Sequence, residues 1–292
     1  MVFACRFAVL FAALVTPCVG VEAAAAEIAI TPDVVYGHKH GLAMTMDVFQ
    51  PQDDANGAAV LFMVSGGWYS QWAPPQQLAR RFRPLTDAGF TVFAVRHGSS
   101  PKFSIPEAVE DVRRSVRFVR ANAERFGIDA ERLGVFGSSA GGHLSLMLAT
   151  TGDDGEADAA DEVLRASSRV QAAVALVAPS DLRIMVWESP QSLPAYRRFP
   201  ALDLDLAQAE QHSPLVHASG DDAPALLIAG DQDDLVPIRH SQQMAAALQQ
   251  HQVPSRLVTI PGAGHGFSGN DQKLASDAMV AWFQQHLTRE SQ

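Results

Sequence analysis

The chain has 292 residues, of which 47% are hydrophobic and 18% are charged, and its formal net charge is −10. This length and composition fit one α/β domain with a sizeable core, and they require no second domain. An acidic chain without a run of lysines and arginines is not expected to bind nucleic acid or anionic lipid through general electrostatics. We therefore expect its partner to be a neutral small molecule or a glycan.

The first 26 residues have the pattern of a secretory signal peptide. Arg6 supplies a weak positive start, residues 7–15 form an apolar core, and the alanines at 23–26 offer small-residue cleavage sites. The apolar stretch is too short to span a bilayer comfortably, and Pro17 follows it, which disfavours a membrane anchor. We therefore expect a secreted or periplasmic protein that loses residues 1–26 and then has no stable membrane insertion.

Both cysteines, Cys5 and Cys18, lie in this N-terminal segment. The mature chain would therefore contain no disulfide, no cysteine nucleophile and no cysteine-ligated metal. No motif in the remaining sequence requires a cofactor or a metal ion, and we expect neither. The oligomeric state stays open at this point.

The mature chain begins with an antiparallel pattern, in which a turn at 37–41 separates strands at 33–36 and 44–49. Between later strands, the valines of residues 105–126 recur at three-and-four spacing, which predicts one amphipathic helix. Strands alternating with helices predict an α/β fold whose mostly parallel central sheet has helices on both faces. In such sheets, sites form outside the carboxyl ends of the strands. Six short apolar runs indicate the buried strands: 59–64, 91–95, 133–136, 172–177, 225–229 and 256–260.

Residues 181–220 differ from the rest of the chain because they show no strand pattern. This segment contains Trp187, Tyr196 and several prolines. We expect it to form a small cap over the site, inserted into a single domain that extends over residues 27–292.

Residues 137–141, GSSAG, have the GxSxG pattern and follow an apolar run directly. A serine on a sharp turn between a strand and a helix exposes its hydroxyl, and flanking glycines let the chain pass closely without side-chain clashes. Ser139 is therefore the candidate nucleophile. His143 lies one turn later, and we expect it to pack or support rather than to catalyse.

An acyl-transfer serine requires a base, because an unassisted hydroxyl is a poor nucleophile at neutral pH. His265 follows the last apolar run in a glycine-rich loop and is the best candidate for this base. The acid that orients it is expected after the preceding strand, where Asp231, Asp233 and Asp234 are available. We choose Asp233, with Asp231 as a turn-capping alternative and Asp234 as a solvated neighbour.

Residues 65–68, SGGW, follow the first long apolar run, where an oxyanion-binding loop is expected. The backbone amides of Gly67 and Trp68, together with that of Ala140, are the predicted oxyanion hole. A tryptophan at this point would narrow the acyl pocket and favour short acyl groups. The candidate substrate-pocket residues are Tyr69, Trp72, His97 and Trp187.

With these segments in place, the chain closely resembles the esterase–lipase branch of the α/β-hydrolase superfamily, particularly its bifunctional feruloyl and acetyl-xylan esterase-like group. The resemblance covers residues 33–287 and implies a triad of Ser139, Asp233 and His265. It also implies acetyl or feruloyl esters on plant polysaccharide as substrates. Relatives often carry His-Gly-Gly-Gly where this chain has SGGW at 65–68. The segments that carry the resemblance are SGGW, residues 95–101, PEAVEDVRRSVRFVRANAERFGID, GSSAGGHLSLMLATTGD, GDQDDLVP and PGAGHGF.

These features together predict a secreted serine carboxylesterase that hydrolyses small acyl esters through an acyl-enzyme. Two alternatives keep the same fold. One is an amide hydrolase, either a peptidase or an arylformamidase, that uses the same triad. The other is a catalytically silent binding protein.

Overall fold

The computed structural model describes residues 27–288, so the N-terminal signal expected at 1–26 lies outside the described residues. Eight strands form one sheet in the order β1-β2-β4-β3-β5-β6-β7-β8. The β1–β2 and β2–β4 pairs are antiparallel, and the other five pairs are parallel. The strands are β1 Ile28–Lys39, β2 Leu42–Pro51, β3 Ala59–Val64, β4 Thr91–Arg96, β5 Leu133–Ser138, β6 Ala172–Leu176, β7 Ala225–Gly230 and β8 Ser255–Ile260.

Helices cover both faces of this sheet, as the alternating pattern predicted. One face packs against α1 and α8 through buried side chains that include Phe82 and Phe283. The other face packs against α2, α4 and α7, where Val112, Leu144 and Met244 are buried. The predicted fold class is therefore confirmed. The α-helices are α1 Pro75–Thr86, α2 Ile105–Ala121, α3 Ala123–Phe126, α4 Ala140–Thr151, α5 Leu206–Gln211, α6 Pro214–His217, α7 Arg239–Gln250 and α8 Gly269–Leu287.

The N-terminal hairpin is longer than the sequence pattern predicted. The turn consists of His40 and Gly41, whose φ angles are 49° and 79°, so the turn predicted at 37–41 was too long. A register shift between Val35 and Gly37 lets β1 continue through Lys39. A Cβ atom at Gly37 would lie 2.5 Å from Nε of Arg114, so a glycine lets that arginine cross the strand.

The helix predicted at 105–126 is also corrected. It begins with a capping box, in which the Ser104 hydroxyl accepts from the amide of Glu107 and the Glu107 carboxylate accepts from the amide of Ser104. It ends at Ala121, and the short helix α3 follows it. The break lies at Asn122, which has φ −113° and ψ 22°, outside the helical range, and whose side chain donates to the carbonyl of Phe118.

Residues 181–220, the predicted cap, contain no strand. They form helices α5 and α6 together with three short 3₁₀ turns at Leu182–Ile184, Pro194–Arg198 and Pro200–Leu202. The hydroxyl of Tyr196 donates to the carbonyl of Leu235 at 2.9 Å, which ties this segment to the loop after β7. Among residues 27–288, no helix is long and apolar enough to cross a membrane.

A buried ion pair joins the hairpin to the parallel part of the sheet. Asp47 on β2 is fully buried, and both of its carboxylate oxygens accept from the guanidinium of Arg96 on β4, at 2.6 and 3.0 Å. The amide of Asp33 also donates to Asp47, at 2.9 Å. These bonds satisfy a carboxylate that would otherwise be costly to bury.

We expect Asp47→Ala to lower the free energy of unfolding by about 3 kcal/mol or more, because it leaves the Arg96 charge buried without its main partner. Urea denaturation measures this change. Asp154→Ala is the matched control, since its side chain is 85% exposed and its partner Arg169 is itself 41% exposed. A loss no larger in the Asp47 variant than in the control would contradict this assignment.

Candidate active site

Four loops meet at the carboxyl ends of the parallel strands. They follow β3, β5, β7 and β8, and each carries one of the predicted functional segments. Because these strands are parallel in one sheet, their carboxyl ends lie along the same edge. The topology therefore brings together residues that are far apart in sequence, such as Ser139 and His265, which are 126 positions apart.

The loop after β5 holds Ser139 in a strained backbone conformation. Its φ is 56° and its ψ is −121°, and its amide donates to the carbonyl of Leu176 at 2.8 Å. A Cβ atom at Gly137 would collide with the backbone of Gly141. A Cβ atom at Gly141 would lie 2.5 Å from the carbonyl oxygen of Met63. Both glycines of the GxSxG motif are therefore required by close backbone contacts at this turn.

Ser139, His265 and Asp233 form a continuous hydrogen-bonded chain. The Oγ atom of Ser139 lies 2.9 Å from Nε2 of His265, and Nδ1 of His265 lies 2.7 Å from Oδ2 of Asp233. The other oxygen of Asp233 accepts from the amides of Leu235 and Val236, at 2.9 and 2.8 Å. The carboxylate therefore accepts from Nδ1–H, which leaves Nε2 unprotonated and facing the serine hydroxyl.

The structure also separates the three candidate acids. The side chain of Asp233 is fully buried beneath His265. Asp231 is exposed and accepts from the amide of Gly262 at 2.7 Å, which closes the neighbouring loop. Asp234 is exposed. Within residues 27–288, only Asp233 of the three has a hydrogen bond to His265.

The predicted oxyanion loop is a tight turn after β3. Gly66 and Tyr69 exchange two backbone hydrogen bonds, of 2.9 and 3.0 Å, and Gly67 and Trp68 between them both have a φ of 57°. These angles are typical of a type I′ turn, which is strained for a tryptophan. In the described part of the chain, the amides of Gly67, Trp68 and Ala140 donate to no protein acceptor. They are therefore available to an oxyanion.

The Trp68 side chain points inward and is 3% exposed. Its indole N–H donates to Nδ1 of His143 at 3.2 Å, and Nε2 of His143 donates to the carbonyl of His212 at 2.7 Å. Complete burial lowers the pKa of His143 to about 4. A neutral His143 thus joins the oxyanion turn to the cap segment. This agrees with the supporting position that the sequence analysis gave it.

A main cavity of about 490 Å³ opens at Ser139 and His265. Of the four predicted pocket residues, Tyr69 lines it. The other three do not line it and are corrected here. Trp72 is 58% exposed. His97 is buried, where its Nδ1 donates to the carbonyl of Gly98 and its Nε2 accepts from the Ser65 hydroxyl, both at 2.8 Å. Burial lowers the pKa of His97.

Trp187 also lies away from the main cavity. Its indole N–H donates to the carbonyl of Tyr196 at 3.1 Å, and its ring packs against the core. Sequence reasoning missed several residues that do line the cavity, among them Arg81, Phe199 and Leu235. Leu235 lies two residues after Asp233, so its position could have been found from the acid loop. No sequence signal singles out Phe199.

A small apolar pocket leads away from Ser139 and has a volume of about 20 Å³. It shares Gly67, Ser139, Phe199 and Leu235 with the main cavity. Its inner walls are formed by Met185, Tyr196 and Leu202 of the cap segment, together with Trp68. Trp68 thus lines a narrow pocket beside Ser139 together with residues of the cap segment.

The described residues contain no cluster of three or more histidine, cysteine, aspartate or glutamate side chains that could hold a metal ion. The site described above consists of a serine, an imidazole, a carboxylate and backbone amides. The residues present are those of nucleophilic acyl transfer.

Comparison with known proteins places this geometry in a family. The BD-FAE family model matches residues 46–248. The chain is 30% identical over 256 residues to the probable carboxylic ester hydrolase LipM of Mycobacterium tuberculosis, covering 85% of this chain and 59% of that protein. It is also 30% identical over 254 residues to the ethyl acetate hydrolase of Pseudomonas putida, covering 81% and 76%. The chain spans about three fifths of the length of the Mycobacterium relatives it matches.

Solved structures agree with this result. A truncated carbohydrate esterase from gut microbiota superposes with a TM-score of 0.73 at 25% identity, covering 89% of this chain and 98% of that one. An acetyl ester-xyloside bifunctional hydrolase from Caldicellulosiruptor lactoaceticus also gives 0.73, at 22% identity with coverage of 87% and 95%, which shows a shared fold. The matched region includes β3 to β7 with the serine and acid loops. This chain therefore belongs to the BD-FAE family and has the α/β-hydrolase fold.

Proposed function

We propose that this protein is a serine carboxylesterase that hydrolyses short-chain acyl esters through an acyl-enzyme. The observation that carries the proposal is the hydrogen-bonded chain from Ser139 through His265 to Asp233, next to three backbone amides that have no protein acceptor among residues 27–288. Carboxylic ester hydrolases among the relatives support the same reaction class.

The geometry suits a two-step reaction. Oγ of Ser139 attacks the ester carbonyl while Nε2 of His265 takes the hydroxyl proton, and the carbonyl oxygen becomes an oxyanion. The tetrahedral intermediate then expels the alcohol, which takes the proton from His265. Water attacks the acyl-enzyme with the same proton transfers and releases the carboxylic acid. Buried Asp233 fixes the imidazole and stabilises the imidazolium that forms.

The amides of Gly67, Trp68 and Ala140 are the proposed oxyanion hole. They belong to two different loops, after β3 and β5, and neither loop uses them for its own hydrogen bonds among the described residues. Donors that are already oriented stabilise the developing charge without reorganisation, and one such donor contributes about 100-fold or more in rate.

We expect Ser139→Ala to abolish both ester hydrolysis and covalent labelling by a fluorophosphonate, because it removes the attacking oxygen. Asp233→Asn should lower kcat by roughly 10⁴-fold, since the imidazole is then no longer held in the reactive tautomer. Asp231→Asn is the matched control and should keep activity, because its amide oxygen can still accept from Gly262. Hydrolysis of 4-nitrophenyl acetate measures all three variants.

The same assay separates the alternatives. Preferential cleavage of an aminoacyl anilide over the acetate ester would favour an amide hydrolase. A correctly folded wild-type protein with neither turnover nor fluorophosphonate labelling would favour the silent binding protein. Loss of activity in the Asp231 variant with full activity in the Asp233 variant would overturn the choice of acid.

The small pocket sets the size of the acyl group in this proposal. Its volume of about 20 Å³ is far below the roughly 300–1,000 Å³ of ordinary ligand pockets. A narrow apolar pocket of this kind favours the methyl group of an acetyl ester over a butyryl chain or a feruloyl ring. We therefore favour acetyl over feruloyl groups, and a carbohydrate as the alcohol part in keeping with the carbohydrate esterase neighbour.

We expect the wild-type protein to prefer 4-nitrophenyl acetate over the butyrate by about tenfold or more in kcat/KM. Leu202→Ala removes a fully buried wall of the small pocket and should raise the butyrate-to-acetate ratio by about tenfold. Leu204→Ala is the control, since Leu204 is buried nearby and lies outside the pocket walls. A wild-type preference for long chains would refute the acetyl assignment.

The Trp68–His143 contact makes the oxyanion turn sensitive to acid. Burial lowers the pKa of His143 from 6.5 to about 4, so the folded protein binds this proton less tightly than the unfolded chain. Its contribution to stability is therefore complete above pH 6.5 and is lost as the pH falls towards 4. Between pH 7 and pH 5 this loss amounts to about 2 kcal/mol.

We expect His143→Gln to reduce the difference in unfolding free energy between pH 7 and pH 5 by about 2 kcal/mol, because glutamine does not titrate. Urea denaturation at the two pH values measures this difference. If the variant and the wild-type protein lose the same stability on acidification, His143 is not the titrating group.

We also propose that this protein is exported. The charged start, apolar core and alanine-rich end of residues 1–26 support a secretory signal and a secreted or periplasmic location. N-terminal sequencing of the protein from the producing cells should then give a mature chain that begins near Glu27. A retained N-terminus in the cytoplasm would contradict this proposal.

A further inference from the structure

The main cavity contains one permanently charged side chain. Among the described residues that line it, Arg81 is the only arginine, lysine, aspartate or glutamate. Arg81 lies on α1 and is exposed to solvent within the cleft. No carboxylate of residues 27–288 lies within 4 Å of its guanidinium, and no acceptor there forms a hydrogen bond with it.

The guanidinium of Arg81 is held by an aromatic ring. Its central carbon lies 4.5 Å from the ring centroid of Phe62, which is a favourable cation–π distance. This contact restrains the side chain but satisfies none of its five N–H donors. Partial desolvation by the cleft walls lowers the pKa of Arg81. No carboxylate in the part of the chain that the structure describes counteracts this effect.

A second cavity, of about 840 Å³, adjoins the main cavity and shares Arg81 and Ser138 with it. Arg80 and Lys273 also line this adjoining cavity. Lys273 is paired with Asp277 at 2.6 Å, whereas Arg80 has no carboxylate partner among the described residues. The junction of the two cavities is therefore positive, although the chain as a whole has a net charge of −10.

The two ends of the site differ in shape and charge. The small pocket is apolar and shares Ser139 and Phe199 with the main cavity, while the adjoining cavity joins it at Arg81 and Ser138. The small pocket and the adjoining cavity have no lining residue in common. An ester whose acyl group enters the small pocket would thus extend its alcohol part towards Arg81.

We infer that Arg81, with Arg80 beside it, forms a binding subsite for a carboxylate on the alcohol part of the ester, such as a sugar acid. This inference rests on the proposed esterase activity and narrows its substrate class. A guanidinium with unused donors can bind a carboxylate through two parallel hydrogen bonds. Such a contact favours the acidic ester over a neutral one of the same shape.

The test compares 3-acetoxybenzoate with 3-acetoxybenzamide, which have the same acyl group and similar size but differ in charge. We expect the wild-type protein to hydrolyse the benzoate with a kcat/KM about tenfold higher, mainly through a lower KM. Arg81→Gln should remove this preference, so that the kcat/KM values for the two esters come within about twofold of each other, whereas Arg81→Lys should retain part of it. High salt should weaken the wild-type preference.

Arg125→Gln is the matched control, because Arg125 is also an exposed arginine over a phenylalanine ring but lies outside both cavities. It should keep the wild-type ratio. Equal rates for the two esters in the wild-type protein, or a preference that survives Arg81→Gln, would overturn the inference. A preference only for a phosphate-bearing acetyl ester would mean that the Arg81 subsite binds a phosphate and not a carboxylate. No hydrolysis of either ester would instead refute the esterase activity itself.

Discussion

The backbone of Ser139 is the constraint on which the site depends. A serine with φ 56° and ψ −121° is held at a cost of about 1–3 kcal/mol, and the surrounding structure must supply that energy. Contacts with two neighbouring strands supply it, because the amide of Ser139 bonds to the end of β6 while Gly141 packs against the carbonyl of Met63 on β3. In this conformation the hydroxyl lies 2.9 Å from Nε2 of His265. The pairing of these strands therefore also determines the position of Ser139 in the site.

Neutral buried histidines stabilise the loops around this serine. His143 connects the indole of Trp68 to the cap segment, and His97 accepts from the hydroxyl of Ser65. Both rings are buried and have a lowered pKa, so each acts as one donor and one acceptor rather than as a cation. They hold a strained turn whose own amides face the cavity. The strained turn and its backbone amides without a bound acceptor thus lie at the same edge of the sheet as Ser139. There they could donate to an oxyanion.

The two sides of the space around Ser139 differ in size and in charge. On one side, Met185, Tyr196 and Leu202 of the cap segment line a small apolar pocket of about 20 Å³. On the other side, Arg81 brings a positive charge into a cleft of an acidic protein. An uncompensated guanidinium contributes little to stability, because its one aromatic contact leaves its donors to solvent or ligand. This asymmetry is the basis on which we assign the two halves of the proposed ester substrate to different sides of the serine.

The sequence by itself determined the fold class, the six parallel-sheet strands to within two residues at each end, and the loops that carry Ser139, Asp233 and His265. These features are local, because apolar runs, glycine spacing and loop order are read along the chain. The tertiary structure alone decided the rest. The hairpin turn lies at His40 and Gly41, later than the start of the predicted turn, because bulges let β1 continue. The long helix predicted from the valine spacing breaks at Asn122. Trp72, His97 and Trp187 proved to lie elsewhere, while Phe199 and Arg81 line the cavity. Which side chains surround a cavity depends on packing between distant segments, and no periodicity along one segment encodes that packing.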